Sequence, residues 1–260
     1  MAAELPKLAF VHIPRTAGTA FGHALDQLYQ GRRTAKFYAD EEVKVANGKI
    51  EAFCRLDGAD KQGFDLLRGH FVHGFDPALR GFDYVALLRE PVRRLISYYF
   101  YALKDKRNYL HSYLLKRRLG LEPFLLSDAS IDLDNYQVRA ISGAQFASVR
   151  EPVSQRHCDE AKRKLAEEFA AFGLTERFDE SMARFALKFG WNLPAPGKMN
   201  AGSYGPELEL SAACRERVLE KNRFDVELYQ FACRLFEAGG AAAEQAGIPI
   251  AQERTEDGYA

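Results

Sequence analysis

At 260 residues, 47% of them hydrophobic, the chain is long enough for one α/β domain with an ample core and too apolar for a disordered segment. Its 36 basic and 36 acidic residues cancel, which excludes a whole-molecule field that would draw it to nucleic acid or an anionic membrane. No apolar run approaches the roughly 20 residues that span a bilayer, and the four scattered cysteines, Cys54, Cys158, Cys214 and Cys233, lack C-x-x-C spacing and read as thiols rather than staples or zinc ligands.

In chain order, an apolar run over 8–12 predicts a buried strand. It breaks at Pro14 into a loop of small and polar residues over 13–18, and a helix follows over 19–30. Such a strand–loop–helix leaves free backbone N–H groups at the positive end of a helix dipole, a ready anion site. Gly18 suits close approach of an oxyanion, the hydroxyls of Thr16 and Thr19 add donors, and Arg15 adds a cation. The plain alternative is a turn capped by Thr19; neither GxxxxGK[ST] nor GxGxxG is present. Residues 31–64 are charged and irregular. A short strand at 65–68 leads into Gly69-His70-Phe71-Val72-His73-Gly74.

A second strand–loop–helix follows: strand 84–88, then Arg89, Glu90 and Pro91, then a helix over 91–104 that Pro91 starts well. Arg89 falls at the carboxyl end of its strand, where open parallel sheets bind ligands, and Ser97 lies about two turns into the helix. An arginine and a hydroxyl so placed can clamp one phosphate; alone, they read equally as a surface ion-pair former and a tolerated small residue. The stretch 108–143 is mostly helical, 155–171 a charged amphipathic helix, 172–175 a strand and 179–190 a helix. A Pro/Gly-rich loop covers 193–206, helices cover 211–221 and 224–238, and a tail runs from Gly247, so that one domain occupies 1–246. Alternating strands and helices predict a three-layer α/β sandwich with a central parallel sheet. The basic runs Arg32-Arg33 and Lys116-Arg117-Arg118 are the local candidates for attracting an anionic substrate, and the plain reading of each is a solvated face.

Together, Ile13-Pro14-Arg15-Thr16-Ala17-Gly18-Thr19 and Leu88-Arg89-Glu90-Pro91-Val92-Arg93-Arg94-Leu95-Ile96-Ser97-Tyr98-Tyr99 resemble the two phosphate segments of the sulfotransferase superfamily. The similarity points to the carbohydrate sulfotransferase family that includes heparan sulfate 2-O-sulfotransferase and bacterial relatives. Phe172-Gly173-Leu174-Thr175-Glu176-Arg177-Phe178-Asp179-Glu180-Ser181 and Asp134-Asn135-Tyr136-Gln137-Val138-Arg139-Ala140-Ile141-Ser142-Gly143 echo further stretches. The resemblance implies a P-loop-like fold and 3′-phosphoadenosine 5′-phosphosulfate (PAPS) as sulfuryl donor, with no metal. It implies that Arg15, Thr16, Ala17, Gly18, Thr19 and Ala20 cradle the 5′-phosphosulfate, and that Arg89 and Ser97 hold the 3′-phosphate. Lys198 and Asn200 are expected in a segment that closes over the nucleotide. The family usually carries lysine where this chain has Arg15, and the expectation is that Arg15 still stabilises the leaving phosphate.

An acceptor hydroxyl needs a base, and histidine titrates near neutrality. His70 follows a strand end on the ligand-facing edge and matches a G-H motif that supplies the base in the resembling family; His73 is the reserve. Glu176 and Arg177 read as structural, an ion pair or a cap before the helix at 179; Gln137 and Arg139 read as part of a core-flanking helix, the alternative being that they face the acceptor. The expected function is sulfuryl transfer to a hydroxyl of a saccharide or glycoconjugate, in a cytoplasmic, bacterial-type enzyme. The alternatives are a nucleotide kinase, against which the missing G-K-[ST] weighs, and a non-catalytic nucleotide-binding protein.

Overall fold

Leu8-Ala9-Phe10-Val11 carries large apolar side chains on both faces, the pattern of a strand covered on both sides. All four residues are fully buried in β1 (Leu8–Val11). The computed structural model describes residues 5–38, 47–143, 152–192 and 210–245. From β1 the chain passes through α1 (Gly18–Leu28), β2 (Thr34–Phe37), α2 (Asn47–Cys54), α3 (Gly58–Gln62), β3 (Leu66–Gly69) and β4 (Asp83–Leu88). It continues through α4 (Pro91–Lys104), α5 (His111–Arg117), α6 (Leu121–Leu125), α7 (Tyr136–Ser142) and α8 (Gln155–Glu167). The last elements are β5 (Phe169–Leu174), α9 (Phe178–Phe189), α10 (Ala212–Lys221) and α11 (Arg223–Gln245).

The five strands form one parallel sheet in the order β2-β3-β1-β4-β5. Because strand side chains alternate, Leu8 and Phe10 point to one face and Ala9 and Val11 to the other. The first face packs on Phe21 and Leu25 of α1 and Met182 and Phe185 of α9. The second packs on Phe53 of α2, Val138 and Ile141 of α7, Leu165 of α8 and Leu228 of α11. This is the expected three-layer α/β sandwich. A separate apolar cluster joins α4, α5, α6 and α10 through Leu95, Leu114, Phe124 and Val218.

Several elements differ from the sequence reading. The segment 31–64 holds α2, α3 and an edge strand, β2, of whose four residues Thr-Ala-Lys-Phe only Phe37 is buried, too few to show a period. The strand read at 172–175 begins at Phe169, and α8 stops at Glu167 rather than 171. Ala170 and Ala171 favour helix locally, but pairing with β4 and the packing of Phe169 on Tyr84 override that preference. Helix α11 runs past 238 to Gln245. The loop expected over 193–206 and the tail from Gly247 lie outside the described residues, apart from which the four cysteines are free thiols.

Candidate nucleotide site

Register places the site. Val11 at the end of β1 is level with Gly69 of β3 on one side and Ala86 of β4 on the other. His12 and His70 follow directly, and β4 runs two residues further before Arg89, so all three leave the sheet at one carboxyl edge. Pairing extends past the strand ends: the His12 N–H donates to the Gly69 carbonyl (2.9 Å) and the His70 N–H to the Phe37 carbonyl (2.9 Å). Gly69 adopts φ +152°, and a Cβ there would lie 2.4 Å from the Phe37 oxygen, so only glycine lets His70 leave the sheet at this point.

The loop between β1 and α1 carries two non-glycine residues in the left-handed region, Arg15 (φ 72°) and Ala17 (φ 61°). Ala17 stands at the N-cap of α1 without a side-chain cap, and no acidic residue lies in the first turn. Thr19 is the second helical residue and exposed, so the turn capped by Thr19 is not what forms. The Thr16 hydroxyl is buried and donates to the Ile13 carbonyl (2.8 Å), which staples the loop. The Ala20 N–H is spent on the Ala17 carbonyl (3.1 Å). The ring of His12 occupies the space beside Gly18, where a Cβ would lie 2.1 Å from His12 Cδ2; the glycine makes room for a histidine.

The second segment meets the first directly. Arg15 Nε donates to Ser97 Oγ (3.0 Å), and its guanidinium lies over the Tyr101 ring, 4.7 Å from the centroid. Arg89 Nη1 donates to the Arg15 carbonyl (3.0 Å). The backbone of Arg89 is itself clamped: its N–H donates to Gln137 Oε1 (2.9 Å), and Gln137 Nε2 donates back to its carbonyl (2.9 Å). Gln137 is fully buried because Asp225 of α11 accepts from the Gln137 and Val138 N–H groups (3.2 and 2.8 Å) and anchors α7. Glu176 Oε1 lies 3.9 Å from Arg89 Nε and accepts from the Glu90 N–H (3.1 Å), while Arg177 pairs with Glu180 (2.6 Å). The structural readings of Gln137, Glu176 and Arg177 hold, and the first two build the seat of Arg89. Arg139 pairs with Asp134 (2.6 Å).

His70 Nδ1 lies 2.8 Å from the His12 carbonyl. A carbonyl only accepts, so Nδ1 carries the proton and the neutral ring keeps its lone pair on Nε2. Burial lowers the His70 pKa below the usual value, against the raising effects of the His12 carbonyl and the Asp132 charge. His73 sits elsewhere. It packs on Tyr84 and Phe169, at the amino ends of β4 and β5, 3.3 Å from Glu168, and burial followed by Lys164 lowers its pKa to about 4. Lys198 and Asn200 lie outside the described residues. Among the described residues no group of three His, Cys, Asp or Glu side chains is placed to hold a metal ion, and no helix is long and apolar enough to cross a membrane.

The sequence reading passed over His12 and the chain of contacts behind it. His12 Nδ1 is 2.9 Å from the Tyr38 hydroxyl, Arg68 Nη1 donates to that hydroxyl (3.0 Å), and Asp26 takes both remaining arms of Arg68 (3.0 and 2.6 Å). Only the position of His12, immediately before the loop, was a usable signal.

No protein-family model matches the chain. Among curated proteins, heparan-sulfate 6-O-sulfotransferase 2 of Danio rerio is 24% identical and that of Gallus gallus 26% identical, each alignment covering 88% of this chain. The chain spans 58% and 66% of the lengths of those two proteins. Along most of its length it is thus similar to carbohydrate sulfotransferases, as its two phosphate segments resemble, with relatives named for 6-O rather than 2-O transfer.

Proposed function

We propose that the protein transfers a sulfuryl group from PAPS to a saccharide hydroxyl. The observation that carries this reading is the meeting of both phosphate segments at one sheet edge, through Arg15 Nε to Ser97 Oγ and Arg89 Nη1 to the Arg15 carbonyl, with His70 alongside. The saccharide acceptor rests on the names of the two relatives.

The residues present suit a doubly phosphorylated nucleotide. The uncapped start of α1 offers backbone N–H groups and the dipole to one anionic group, with Arg15 beside it. Arg89 and Ser97 offer a guanidinium and a hydroxyl to the other; Lys198 and Asn200 belong to the same proposal as closing contacts. When bound, PAPS supplies a phosphate–sulfate anhydride already activated for displacement. Arg15 balances charge on the departing phosphate, its fork spreading over more oxygen than an ammonium. His70 takes the acceptor proton at Nε2. Its Nδ1–H stays on the His12 carbonyl, so the ring is held in one tautomer while it works.

Sulfur-labelled PAPS incubated with the protein and a panel of glycans, lipids and phenols tests the reading, with label expected on a glycan. Calorimetry with 3′,5′-bisphosphoadenosine is the companion measurement. No binding heat and no transferred label would overturn it.

A further inference from the structure

We propose that His12 is an anion-binding residue of this site, presenting its Nε2–H to the acidic group held at the start of α1. The inference rests on the reading above, in which that group is the 5′ end of the nucleotide. His12 is 8% exposed and stacks on Phe10, so its ring has one seat. Its Nδ1 faces the Tyr38 hydroxyl at 2.9 Å. The Tyr38 oxygen receives a hydrogen bond from Arg68 Nη1, and Arg68 is held by both oxygens of Asp26. An arginine only donates, so the phenolic proton turns to the acceptor left to it, Nδ1 of His12. Burial pushes the Tyr38 pKa up to about 12, which keeps that proton in place.

A neutral imidazole that accepts at Nδ1 carries its proton on Nε2. The groups facing the ring keep it neutral: burial, then His70, Arg68 and Arg15, all disfavour the cation. Nε2 has no hydrogen-bond partner among the described residues, the ring's one side-chain partner being the Tyr38 hydroxyl at Nδ1. It lies against Gly18, where a Cβ would stand 2.2 Å away, at the end of α1 that no side chain caps. A donor left without a protein acceptor beside an uncapped helix start is matched by a bound oxyanion at this helix end, which supplies the acceptor. Asp26, Arg68 and Tyr38 thereby act as positioning residues that fix which nitrogen of His12 faces the ligand.

The test compares 3′,5′-bisphosphoadenosine with adenosine 3′-phosphate, which lacks the 5′ group, by calorimetry. His12→Phe keeps the ring area and removes the donor. It is expected to weaken the bisphosphate by about 10- to 100-fold and to leave the monophosphate unchanged. His12→Gln, whose amide N–H reaches near Nε2, is expected to restore most of the difference. Nitrogen-15 NMR of the wild-type protein is expected to show His12 protonated on Nε2 and not on Nδ1. Equal bisphosphate binding by His12→Phe, equal loss of both nucleotides, or a proton on Nδ1 overturns the inference alone. A wild-type protein that binds neither nucleotide overturns the functional reading and this inference with it.

Discussion

The two strand–loop–helix units, β1–α1 and β4–α4, lie side by side in the sheet and end at the same edge, yet they finish their helices in opposite ways. At α1 the N-cap is Ala17 in the left-handed region, with no side-chain cap and no acidic residue in the first turn. At α4 the N-cap is Glu90, whose carboxylate accepts from the Val92 and Arg93 N–H groups (3.2 and 2.7 Å), and Pro91 takes the next position. A carboxylate at a helix start neutralises the dipole that an anion would use. The first unit therefore leaves its backbone for a ligand. The second closes its backbone and contributes side chains, Arg89 from the strand end and Ser97 from the second turn. Left-handed Arg15 and Ala17, at a cost of order 1 kcal/mol or more each, belong to the open unit alone.

The sharpest break is at the base beside the open unit. His70→Ala is expected to lower kcat by about 10²- to 10⁴-fold while the affinity for 3′,5′-bisphosphoadenosine is kept, because the ring is assigned to the acceptor proton and not to the nucleotide. In the wild type the acid limb of kcat/KM should fall below pH 6.5: a lowered histidine pKa keeps the base neutral at pH values where a free imidazole is already protonated. An acid limb above the ordinary histidine value, or unchanged turnover in the variant, moves the role to another group. Next in size is Gly18→Ala. Its Cβ would overlap the His12 ring at 2.1 Å, so the ring or the loop must shift, with a loss of about 1–3 kcal/mol in stability and weaker nucleotide binding. Chemical denaturation and calorimetry read the two effects separately, and normal stability with normal binding would show that the ring is free to move.

How far this contrast could be read from the chain depends on the distance between partners. Helix α4 starts at Pro91 and ends at Lys104 as the proline and the apolar spacing require, and β1 and β4 stand out as apolar runs between turn residues. The approach of Arg15, Arg89 and Ser97 was legible because each sits at a fixed offset from a strand end or helix start. What was hidden is non-local. Tyr38 meets His12 across 26 residues, Arg68 meets Asp26 across 42, and Gln137 holds Arg89 across 48. Asp225 reaches Gln137 across 88 residues from another helix. None of these pairs has a spacing that local periodicity records. Gly18 was read as room for an oxyanion, and only the packed ring of His12 shows what else fills that space.

The smallest expected effect tests the closed unit. Glu90→Ala removes the cap from α4 and should cost about 1 kcal/mol of stability, a drop of roughly 2–4 °C in Tm for a chain of this size. It also strips a negative charge from a helix start near Arg89, which on electrostatic grounds strengthens anion binding slightly. If α4 contributes only side chains, the affinity for 3′,5′-bisphosphoadenosine stays within about fivefold of wild type. A large gain in affinity would mean that uncovering the N–H groups of Val92 and Arg93 created a second backbone anion site. The two units would then differ by one removable carboxylate rather than by the shape of their loops, and the left-handed turn at Arg15 and Ala17 would lose its claim to be what sets the first unit apart.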